Sequence, residues 1–98
     1  MKFSEDLVKD LKAFFPENQK LHLALDRNWF HDVERILNDH LKDLLDPDWI
    51  VSMFKQGSPD FVLWAAENYQ KVATWRKQVV ELRSAHDREK RLEDSRED

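Results

Sequence analysis

Cysteine is absent from this 98-residue chain. Disulfides, thiolate metal sites and cysteine nucleophiles are excluded with it. Small secreted domains often need such staples, so their absence predicts a reducing, cytoplasmic setting. Glycine occurs once, as Gly57, and proline three times. That leaves no glycine-rich phosphate loop and few tight turns, which argues against a sheet rich in hairpins. Long apolar runs are missing too. Lys2, Glu5, Asp6, Lys9 and Asp10 break up the first eleven residues, so no signal-peptide core fits there. No stretch elsewhere is long enough to cross a bilayer. Basic charge is in deficit: 16 Lys and Arg stand against 20 Asp and Glu, a net charge of −4. This disfavours nucleic acid as a partner, which needs a basic patch. It is also too mild for a mimic of DNA.

Charged residues nevertheless make up 37% of the chain, against about a quarter in an average domain, and hydrophobic residues 41%. A single domain of this length buries only about 60–65% of its unfolded surface. The apolar pattern is helical. Ser4 is an N-cap, with Glu5 and Asp6 in the first turn and Phe3 and Val8 at staple positions. Leu7, Val8, Leu11, Phe14 and Phe15 follow at helical spacing up to Pro16. Leu21, Leu23 and Leu25 alternate like a strand, but their Lys, Gln and Ala neighbours favour a second helix. Asp26 or Asn28 is the expected cap of a third. Trp29, Phe30, Val33, Ile36, Leu37, Leu41, Leu44 and Leu45 form its stripe, the clearest in the chain.

Two similar helix starts come next. Asp46-Pro47-Asp48-Trp49 and Ser58-Pro59-Asp60-Phe61 each set a cap residue, then Pro, an acid and an aromatic. The first opens a short helix, about Pro47 to Lys55, with Gly57 as its left-handed cap. The second opens a long helix over about 59–90. The expected fold is all-α: a small four- to five-helix bundle forming one domain over 1–90. Residues 83–98 mix five bases and six acids with one large apolar side chain, Leu92. Pairs such as Asp87 with Arg91 can extend the helix, but residues 91–98 are expected to fray as a charged tail.

No HExxH, serine elbow or comparable catalytic signature is present, and no cofactor or metal is expected. His31 with Glu34, and His40 with Asp43, share helix faces at i,i+3. They are the residues on which a small metal-dependent enzyme would have to rest, given a third converging ligand. A helix-turn-helix outline over 47–70 offers a second alternative, a DNA-binding regulator. Its second helix, however, starts with Asp60, Phe61, Val62, Leu63 and Trp64 rather than with base-reading residues. The favoured function is therefore a non-enzymatic adaptor, inhibitor or regulatory subunit. Four tryptophans, Trp29, Trp49, Trp64 and Trp75, suit both a small core and an interface. On the long helix, Phe61, Ala65, Asn68, Val72, Trp75, Val79 and Leu82 follow coiled-coil spacing. A second row holds Val62, Ala66, Tyr69, Ala73 and Val80. The arc is wider than one neighbouring helix needs. Trp64, Asn68, Val72, Trp75 and Val79 are accordingly the expected face for another protein or a second copy of the chain, with Asn68 setting register.

Overall fold

The computed structural model describes residues 1–56 and 59–96, without the side chains of residues 59, 61 and 94–96. Five helices run in order: α1 (Glu5–Phe14), α2 (Gln19–Asp26), α3 (Phe30–Leu44), α4 (Pro47–Lys55) and α5 (Pro59–Arg96). No strand occurs among the described residues. The molecule measures 62 × 24 × 19 Å. A 38-residue helix spans about 57 Å at 1.5 Å per residue, so α5 sets the length.

Most starts follow the local chemistry. The Ser4 hydroxyl accepts from Leu7 N at 3.2 Å, and the Asn18 side chain caps α2 through Leu21 N at 3.0 Å. Asp46 caps α4 through Asp48 N at 2.9 Å, with Pro47 in the first turn. The start of α3 departs from expectation. Neither Asp26 nor Asn28 caps it; Trp29 occupies the cap position and makes no side-chain cap bond. Asn28 takes a left-handed turn (φ 54°), which asparagine tolerates better than most residues. Its amide oxygen is spent on Phe3 N, 3.0 Å away. Asp26 instead pairs with Lys12 of α1. The expected caps Gly57 and Ser58 lie outside the described residues.

The core is contributed by α1, α2, α3 and the middle of α5. Leu7, Leu11, Leu21, Leu25, Phe30, Val33, Leu37, Leu41, Val72 and Val79 form one buried cluster. Leu44 is buried as well, whereas Ile36 is only partly covered. The stripe of α3 thus faces inward from Phe30 to Leu44, but its two ends, Trp29 and Leu45, are exposed. Helix α4 contributes no buried residue. At the far end α5 continues to Arg96, six residues beyond the expected limit, and Leu92 there is exposed.

Candidate functional site: an apolar cleft between α4 and α5

The seam on α5 faces α3. Asn68, Val72 and Val79 are buried by the chain itself, and Trp75 is half-buried, edge-on to Phe14 with centroids 5.1 Å apart. Four of the five residues expected to meet a partner are thus taken up wholly or largely by intramolecular packing. The reason is tertiary: α3 offers one long stripe, and the most regular row of α5 is the row that fits it. Trp64 is the most exposed of the five, at 51%. It lies N-terminal to the segment of α5 that joins the core.

The histidine pairs also resolve into structural contacts. His40 Nε2 donates to Asn68 Oδ1 at 2.9 Å, and the His40 ring meets the edges of Phe14 and Phe15. His31 turns away from Glu34 to Asp87, 3.1 Å distant, and Glu34 pairs with Arg83. The His31 hydrogen bond, reinforced by Arg83, holds the Asp87 carboxyl below its ordinary range against the opposing effect of burial. The Glu34 contact raises Arg83 in turn. These residues tie α3 to α5. Among the described residues no three potential ligands converge on a metal position.

What remains open is the other end of the molecule. Beyond the core, the end of α3, the whole of α4 and the first turns of α5 enclose a cleft of about 370 Å³. Leu44 and Leu45 line it from the end of α3, Trp49, Ile50, Met53 and Phe54 from α4, and Val62, Ala65, Ala66, Tyr69 and Gln70 from α5. Each set follows helical spacing, so each wall is one face of its helix. No carboxylate, imidazole or amine is among these residues. Apolar surface continues past the cleft. Ten large apolar side chains are exposed among the described residues, and six of them, Leu45, Val51, Phe54, Val62, Leu63 and Trp64, fall between positions 45 and 64. Phe54 is 63% exposed and Leu63 60%. Apolar exposure of this density is unusual for a monomer and marks interaction surfaces.

The charge distribution singles out the same segment. Residues 43–70 contain five acids, Asp43, Asp46, Asp48, Asp60 and Glu67, and one base, Lys55. The other 70 residues carry fifteen of each sign. The entire net charge of −4 therefore resides on the segment that builds the cleft. This segregation was the signal by which the site could have been found from sequence. Comparison with protein-family models, with curated proteins and with solved structures found no match.

Proposed function

We propose that this chain is a non-enzymatic protein-binding module, an adaptor, inhibitor or regulatory subunit, whose working surface is the cleft of α3, α4 and α5. The carrying observation is the cleft itself: an apolar, solvent-open concavity of about 370 Å³ at the edge of the core, walled on one side by a helix with no fully buried residue. Aromatic side chains in such positions carry binding energy out of proportion to their number. This reading moves the partner face from the middle of α5 to its first turns and α4, keeping Trp64. A reducing, cytoplasmic setting fits a cysteine-free chain. The described helices are consistent with a role away from the bilayer interior, since none is long and apolar enough to cross a membrane. The DNA-binding alternative uses the same segment and meets its acids, which repel phosphate.

A photoreactive benzoylphenylalanine at Phe54, in the cells that make the protein, tests the reading. It is expected to yield a discrete protein adduct, and the same group at exposed Glu89 none. Val62→Asp should abolish the Phe54 adduct while costing under about 1 kcal/mol of stability, because Val62 is 44% exposed and outside the buried core. Indistinguishable adduct patterns from positions 54 and 89 would overturn the proposal.

A further inference from the structure

We infer that the occupant of the cleft is a basic amphipathic helix from another protein, a deepening that rests on the binding role proposed above. Three observations choose among the possible occupants. The first is shape. The walls are two helix faces, residues 47–55 and 62–70, each nine residues long. Nine residues of helix extend about 13 Å. A groove of that length between two helices takes two to three turns of a third, through side chains at i, i+3 or i+4, and i+7. No sheet edge exists among the described residues, so an extended strand has no backbone to pair with.

The second observation is the charge of the segment that builds the cleft. Asp46 and Asp48 stand at the N-terminal end of α4, Asp60 at the start of α5 and Glu67 within α5, none of them lining the cleft itself. Lys55 is the lone base in the segment. An apolar cleft in a segment of net negative charge calls for a partner whose flanks carry Lys or Arg.

The third observation argues against a second copy and a lipid surface. An isologous dimer sets the same patch against itself, here one net charge of −4 against another. A heterologous contact would need a basic amphipathic helix elsewhere on the chain. The candidate stretch, 83–98, has one large apolar residue, Leu92, and slightly more acids than bases. Membrane surfaces are anionic and share the sign of this segment.

Four synthetic 14-residue peptides test this against the full-length chain, by the change in tryptophan fluorescence on titration. Three share a leucine face and carry Lys, Gln or Glu at the outward positions. The fourth keeps the lysines and replaces each leucine with serine. The Leu/Lys peptide should bind about tenfold more tightly than Leu/Gln, with Leu/Glu weaker still, and the advantage should shrink as salt is raised. Asp48→Asn, Asp60→Asn and Glu67→Gln together should erase the advantage without weakening Leu/Gln; Asp46 is left alone because it caps α4. Equal affinity for all three leucine peptides overturns the basic partner and leaves the cleft reading standing. Failure of every leucine peptide to bind, or Ser/Lys binding as well as Leu/Lys, overturns both.

Discussion

Leu37→Ala is expected to cost about 3–5 kcal/mol and to lower the melting temperature by more than about 10 °C. Leu37 is fully buried on the inner stripe of α3, the helix packed against α2 and α5. Its truncation removes methyl groups that no neighbouring side chain can replace without moving a helix. Surrounding residues such as Val33, Leu41 and Val72 are themselves fully or almost fully buried. The cavity term therefore adds to the lost transfer free energy. A domain of this size has only about 5–15 kcal/mol in total, so the variant should stand near the edge of folding. Phe54→Ala makes the contrast. It deletes a larger side chain, but one that is 63% exposed on a helix outside the core. Its cost should stay below about 1 kcal/mol. Urea unfolding of the two variants measures both values, and similar costs would mean that α4 is part of the core after all.

Asn68→Ala should cost about 1–3 kcal/mol although it removes only a small polar side chain. The reason is the partner it abandons. His40 Nε2 donates to Asn68 Oδ1 at 2.9 Å, within reach of the Phe14 and Phe15 rings. Without Asn68 that partly buried N–H is left beside the Phe14 and Phe15 rings, and an unmade bond of this kind is more costly than a made one is favourable. A double-mutant cycle separates this from packing. Asn68→Ala and His40→Ala should be less than additive, with a coupling of at least about 0.5 kcal/mol. Replacing both by apolar side chains, His40→Phe with Asn68→Leu, should recover most of the loss, since no polar atom is then stranded. Full additivity would show that the pair is not coupled.

Local signals in the sequence carried the helix boundaries where a cap and a breaker coincide. Ser4 before two acids, and Asp46 before Pro47, act within one turn and need no tertiary help. Asn28 was harder to read. The same side chain suits an N-cap and a left-handed turn, and its bond to Phe3, 25 residues away, decides between them. The inner stripe of α3 was legible because one neighbour-facing row accounts for it. The arc on α5 was not, because two rows compete and only the arrival of α3 selects Asn68, Val72 and Val79 for the interior. Spacing alone says that a face is apolar and never which face is already taken. The cleft escaped for a related reason. The apolar residues of α4 read like core, and their exposure follows from where α4 sits relative to a core that is complete without it. The clustering of net charge on residues 43–70 was visible in the residue order and pointed to the same place.

The proposed binding role requires the cleft to be open to solvent in the folded chain. Methyl NMR with a neutral, soluble gadolinium chelate tests this most directly, because the probe broadens signals it can approach. Leu45, Val51, Val62 and Leu63 should broaden strongly, while Leu11, Leu21, Leu37, Val72 and Val79 stay sharp. Protection of the first group to the level of the second would mean that this end of the molecule is closed, and the binding surface proposed here would not exist.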